Sequence, residues 1–211
     1  MEPFITKWFE RRQPWSGLDE ATLNSKELPQ PLRWLYGFAG NSSDNQGTWK
    51  TIFRGQDFLI RFEELESYQG KIKFACEAQA VWIAGTEATG IDPPVWAMDD
   101  GHWHLVDDSL MNFLTTLILN DTVYSARHTV YEPNIGTSIL AEMDCLGKHL
   151  EPIWIDHPYG WQHPRYEKEG SYSFYLVEDK YLIMKDCFGE YFCATNEEAP
   201  WECYPTLFDQ Y

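Results

Sequence analysis

The chain has 211 residues, 44% hydrophobic and 16% aromatic, with a formal charge of −17. That composition supplies a sizeable core and excludes a disordered chain. The negative field disfavours phosphate backbones and anionic lipid, so neither nucleic acid nor a membrane surface is an expected partner.

Charge is uneven along the chain. Residues 1–105 carry 15 acids against 10 bases, and residues 106–211 carry 18 against 6. Such acidity keeps a protein soluble, and it also attracts a basic protein. The opening MEPFITKWFERRQPW holds no continuous apolar run, so no secretory signal is expected. No segment approaches the roughly 18 apolar residues of a membrane helix. Cys76, Cys145, Cys187, Cys193 and Cys203 are odd in number and scattered, which fits reduced thiols and a cytoplasmic location.

Taken in chain order, LPQPLRWLYGFAG (28–40) predicts a helix with Pro31 in its first turn and Gly40 as a left-handed cap. Leu32, Leu35 and Tyr36 share its apolar face, with Trp34 and Phe38 at the margins. TIFRGQDFLIRF (51–62) predicts two short strands around a Gly55-Gln56-Asp57 turn. KIKFACEAQAVWIAG (71–85) predicts two largely buried strands turning near Glu77–Gln79. Pro93 and Pro94 cannot donate to a ladder, so PPVWAM begins at an edge or at the start of a strand. Asp99-Asp100-Gly101 then makes a turn into HWHLV. DDSLMNFLTTLILND (107–121) is the clearest helix, with Leu110, Phe113, Leu114, Leu117 and Ile118 in one stripe and Asp108 or Ser109 as cap. EPIWIDHPYGWQHP (151–164) starts as a strand and becomes an aromatic loop. SYSFYLVEDKYLIMKDCFGEYFCAT (171–195) predicts three strands in a meander, turning at Glu178-Asp179 and around Gly189. The fold class is α+β, a mostly antiparallel central sheet packed by helices.

The order PLRWLYGFAG, FACEAQAVWIAG, DPPVW, SLMNFLTTLIL resembles the SUKH superfamily, proteins related to a fungal regulator of cell-wall glucan synthesis. Glu77, Gln79, Trp82, Pro93, Pro94 and Val95 stand at its motif positions, and Ser109, Leu110, Phe113 and Leu114 open the matching helix. The likeness covers about residues 28–121. It implies one SUKH-like domain over 1–211, in which 122–211 complete or extend the sheet. Most bacterial members look like immunity proteins that neutralise polymorphic toxins, many of them nucleases. The resemblance therefore implies a binding protein that sequesters a basic toxin domain. A regulatory scaffold for a cellular partner, such as a cell-wall synthesis regulator, is the alternative, and a carbohydrate-active enzyme a further one.

The residues themselves carry little chemistry. His102 and His104 share a strand face near Asp99 and Asp100, but no third ligand follows at a diagnostic spacing, so no metal is expected. His157 and His163 flank Pro158-Tyr159-Gly160-Trp161 without a nucleophile elbow, and no glycine-rich phosphate loop is present. We expect no enzyme and no cofactor. Asp99, Asp100, Asp107 and Asp108, with Glu167, Glu169, Glu178 and Asp179, are the acids expected to be exposed for a partner, and Tyr159 and Trp161 its aromatic anchors. Glu77 and Gln79 are expected to satisfy a turn rather than to bind.

Overall fold

A computed structural model describes residues 8, 17–40, 57–77, 81–131, 149–157, 171–198 and 200. The expected loop at 41–49, together with Gln79, Tyr159, Trp161, His163, Glu167 and Glu169, lies outside them.

Two short helices lie between residues 20 and 39. α1 (Glu20–Leu23) is capped by Asp19, whose Oδ1 accepts from Thr22 N at 2.7 Å. α2 (Gln30–Ala39) carries Pro31 in its first turn, where the missing N–H costs no helical bond. Leu32, Leu35 and Tyr36 are buried, and Trp34 stacks on Phe38 at 5.6 Å. Arg33 ties the two helices through Glu20 and through Asn24 Oδ1 at 2.8 Å. Gly40 is right-handed, φ −61°, not the left-handed cap expected. It is glycine for lack of space: a Cβ there would lie 2.4 Å from Tyr36 O and 2.7 Å from Leu18 Cγ.

The first sheet has six strands in the order β1-β3-β4-β5-β6, with β2 paired to β3. They are β1 (Asp57–Leu59), β2 (Ser67–Tyr68), β3 (Lys71–Glu77), β4 (Ile83–Thr86), β5 (Val95–Asp99) and β6 (His102–Asp107), all antiparallel. Asp57, expected in a turn, is a buried residue of β1. A single 3₁₀ turn, Phe62–Glu64, follows β1. Asp100 and Gly101 both have positive φ, the pairing that a two-residue hairpin needs to match strand twist.

α3 (Leu110–Tyr124) crosses the inner face of this sheet. Phe113 meets Phe74 edge-on at 5.8 Å and Trp82 at 6.3 Å. The sequence suggests one apolar stripe, but Thr115, Thr116, Asn120, Asp121 and Thr122 on other sides of the helix are buried too. The second sheet reaches Thr116 through Trp154, and the first reaches Asn120 through Asp57. Short hydroxyls tolerate that position because they bond back to the helix: Thr122 Oγ1 donates to Ile118 O at 2.6 Å and Thr116 Oγ1 to Asn112 O at 3.2 Å. Thr116 Oγ1 also accepts from Trp154 Nε1 at 2.9 Å, and Asn120 Nδ2 donates to Asp57 Oδ2 at 3.0 Å.

The second sheet has five strands, β7 (His128–Tyr131), β8 (Glu151–His157), β9 (Tyr172–Val177), β10 (Tyr181–Lys185) and β11 (Tyr191–Thr195), in the order β7-β11-β10-β9-β8. The described strands after 121 make up this second sheet, and among the described residues no strand pairs across the two. Glu178 and Asp179 turn β9 into β10 with φ 52° and 56°, and Gly189 lies between β10 and β11 with φ 80°. Asp186 Oδ1 holds that second turn, accepting from Phe188 N at 2.9 Å and Glu190 N at 2.8 Å, while burial raises its carboxyl above the ordinary range. One buried cluster runs from Trp8 to Ala194 through α2, α3 and both sheets. The core is thus not confined to the region of resemblance. Cys76 and Cys187 are free thiols, and among the described residues no helix is long and apolar enough to cross a membrane.

Candidate interaction surface

Antiparallel register puts directly opposed residues on one face of a sheet. In the first sheet Phe58, Cys76, Ile83, Met98 and Trp103 oppose one another across five strands. Lys73, Gly85, Trp96 and Leu105 form the neighbouring row on the same face. None of these side chains belongs to either buried cluster. Leu105 is 55% exposed and Phe58 41%, while Cys76, Ile83, Met98, Trp96 and Trp103 are half-buried. The other face, with Leu59, Phe74, Ala75, Trp82, Ala84 and Val95, is buried in the core.

Gly85 shapes this outer face. A Cβ there would stand 2.5 Å from Trp103 Cη2, so the absent side chain lets the indole lie across the strand. Lys71 Nζ sits 3.9 Å over the Trp96 ring, a cation–π contact that lays the lysine stem along the sheet. Lys73 Nζ donates to Glu66 Oε1 at 2.6 Å and holds that exposed carboxylate below the ordinary range.

The motif positions of the resemblance form a structural seam. Trp82 is buried against Phe113. Glu77 is buried at the end of β3, where its Oε2 accepts from Val81 N at 3.4 Å and its own N donates to Trp82 O at 3.2 Å. Pro93 O accepts from Leu110 N at 2.9 Å, Pro94 O accepts from Thr86 Oγ1 at 2.8 Å, and Val95 begins β5 fully buried. The two prolines thus open an interior strand at its start, joining β4, β5 and α3.

The four aspartates nominated from sequence do not form one patch. Asp99 ends β5 opposite His102, and Asp100 is exposed in the hairpin turn. Asp107 is the last residue of β6 and Asp108 follows it, which at about 3.3 Å per residue puts them roughly 17–20 Å from His102. Asp108 is exposed, but Asp107 is buried, correcting its assignment to the exposed acids. Its Oδ1 accepts from Ser109 N at 2.9 Å, and its Oδ2 is buried without a hydrogen-bond partner. Burial raises the Asp107 carboxyl above its ordinary range, and the Ser109 N–H and His157 act against that rise. Glu178 and Asp179 are exposed on the second sheet.

Around Asp107 the start of α3 is a capping network. Ser109 Oγ accepts from Asn112 N at 3.1 Å and donates to Asp92 Oδ2 at 2.6 Å, while Asp92 Oδ1 accepts from Met111 N at 2.8 Å. His157 stacks on Trp154 at 3.7 Å. Ser109 thus caps α3 through its acceptor and ties the cap to Asp92 through its donor. Among the described residues, no three His, Cys, Asp or Glu side chains stand together as a metal site, and His102 and His104 gain no such third ligand.

Sequence reasoning missed the outer face because both parities of β5 are largely apolar, Val95 and Ala97 on one and Trp96 and Met98 on the other. The available signal was Gly85 set in an otherwise apolar strand, a mark of close approach by another side chain. Asp92 gave no local signal, since Ser109 and the helix it caps lie 17 residues further along the chain and meet it only through the fold.

Comparison with protein-family models, curated proteins and solved structures found no match. Fold and surface together define an α+β protein in which two antiparallel sheets enclose a helix and, among the described residues, one apolar face of the first sheet joins neither buried cluster.

Proposed function

We propose that this is a protein-binding protein whose partner docks on the outer face of the first sheet, and that it acts as an immunity protein against a basic toxin domain. The observation that carries the binding half is the open apolar row Phe58–Cys76–Ile83–Met98–Trp103 on a chain of net charge −17. Half-buried and exposed aromatic and methionine side chains suit the core of a protein interface, and the negative charge of the chain suits a basic partner. The toxin half rests on the resemblance of residues 28–121 to SUKH proteins.

The test is affinity capture with the full chain from its native host, followed by purification of whatever co-elutes and a growth-rescue assay. A basic domain that binds one to one, arrests growth alone and is neutralised by this chain is the expected result. A non-toxic cellular partner would replace the immunity reading with the regulatory scaffold. A sugar polymer as the retained species would overturn the protein-binding reading.

A further inference from the structure

Among the described residues, Ile91 is the most exposed large apolar side chain, at 82%, followed by Phe188 at 75%. A lone exposed apolar residue is ordinary on a protein surface. Ile91 differs because its segment, between β4 and β5, is tied down on both sides. Asp92 Oδ2 accepts from Ser109 Oγ at 2.6 Å and its Oδ1 from Met111 N at 2.8 Å. Pro93 O accepts from Leu110 N at 2.9 Å, and Pro94 O from Thr86 Oγ1 at 2.8 Å. The Asp92 bond also brings Met111, 45% exposed, into the same corner as Ile91. An apolar side chain held in place beforehand loses little freedom when it is bound.

The charge around this corner is of one sign. Residues 74–126 hold eight acids and no Lys or Arg. Glu87 and Asp92 on the Ile91 segment are exposed, as is Asp108 beside the Ser109 cap. None of the three pairs with a Lys or Arg among the described residues. Next to Asp108, buried Asp107 keeps its Oδ2 without a hydrogen-bond partner. Phe188 lacks this setting, with Lys185 three residues before it and both faces of its sheet packed. The Ile91 segment also adjoins the apolar outer face, since Thr86 and Asp107 oppose Val95 next to the row of Gly85, Trp96 and Leu105. We propose that Ile91 is a preformed anchor for the protein partner: with Met111 it enters an apolar depression on a protein whose rim carries Lys or Arg opposite Glu87, Asp92 and Asp108. A second copy of this chain would bring like charges to that rim, whereas a basic partner complements it. The inference rests on the protein-binding reading above and adds a protruding contact at one end of the outer face.

The experiment places a photoreactive benzophenone side chain at position 91 of the full chain, and in a second sample at position 188, and irradiates each in the native host. The expected result is a covalent adduct from position 91 with the basic protein that affinity capture retains, and none from position 188. Calorimetry with that purified protein should then show Ile91→Asp binding about tenfold or more weaker than the parent, and Phe188→Ala within about twofold. Both positions are exposed, so urea midpoints of the variants should match the parent. A captured partner that gives no adduct at 91, or that binds Ile91→Asp within about twofold of the parent, overturns the anchor while the protein-binding reading stands. An adduct joining two copies of this chain also overturns it. If capture retains no protein at all, the protein-binding reading falls and the anchor falls with it.

Discussion

In the second sheet, Leu182 and Ile183 point to opposite faces and both are fully buried. In the first, Ala84 is fully buried while its neighbour Ile83 is half-exposed. The second sheet places Leu176, Leu182 and Ala194 against α3, and Val130, Ile183 and Cys193 in a separate cluster on the other side. The first sheet commits one face to the core and leaves the other, equally apolar, without a cluster of its own. Strands of similar composition thus serve two purposes. Closing both faces yields stability, and a monomer rarely leaves one open over several strands unless something docks there.

The largest effect should come from the closed side of the first sheet. Trp82→Ala is expected to lower unfolding free energy by about 3–5 kcal/mol, read by urea denaturation, because Trp82 fills the space beside Phe113. A loss below 1 kcal/mol would mean that face is not core.

The comparison between outer faces is sharpened by a pair of truncations. Ile183→Ala should cost about 2–5 kcal/mol, whereas Leu105→Ala, at a 55% exposed position, should fall within about 0.5 kcal/mol of the parent. Similar losses at both positions would erase the distinction between a closed and an open sheet. Leu105→Ala should still weaken capture of the partner.

Smaller effects belong to the seam between the first sheet and α3. Ser109→Ala removes the acceptor for Asn112 N and the donor to Asp92, and a loss of about 1 kcal/mol is expected from denaturation midpoints.

The smallest effect is one of pH. A buried acid whose pKa is raised in the folded state makes that state bind its proton more tightly than the unfolded chain does. The Asp107 contribution to stability therefore grows as pH falls from neutrality through its folded value, and levels off below the ordinary carboxylate range. Asp107→Asn keeps an oxygen for Ser109 N and does not titrate. Its stability relative to the parent should be highest at pH 7 and decline toward pH 4, measured by thermal unfolding in matched salt. Asp92, Asp108 and His157 face the same carboxyl and set the steepness. A difference independent of pH would show that Asp107 is not desolvated in the fold.

The α+β class and the position of α3 are legible in sequence because they are set locally. The Ser109 cap, the i, i+3, i+4 spacing from Leu110 to Ile118, and the Asp100-Gly101 turn all act within a few residues. Gly40 shows the limit of such signals. Its place after a helix suggests φ > 0, while contacts with Tyr36 and Leu18 set the real requirement.

What only the tertiary structure decided follows from distance along the chain. Asp107 and Asp108 look alike in sequence, yet one is buried and the other exposed; the elements packed around β6 and the start of α3 choose between them. Asp99-Asp100 and Asp107-Asp108 read as one acidic stretch until an extended strand of six residues holds them apart at the two ends of β6. The apolar residues of β5 and β6 specify strands by themselves. Which of them face α3 and which remain open depends on register with β4 and on the helix that covers one side. Local propensity fixes an element's type over a few residues; long-range packing alone fixes which of its faces meets water.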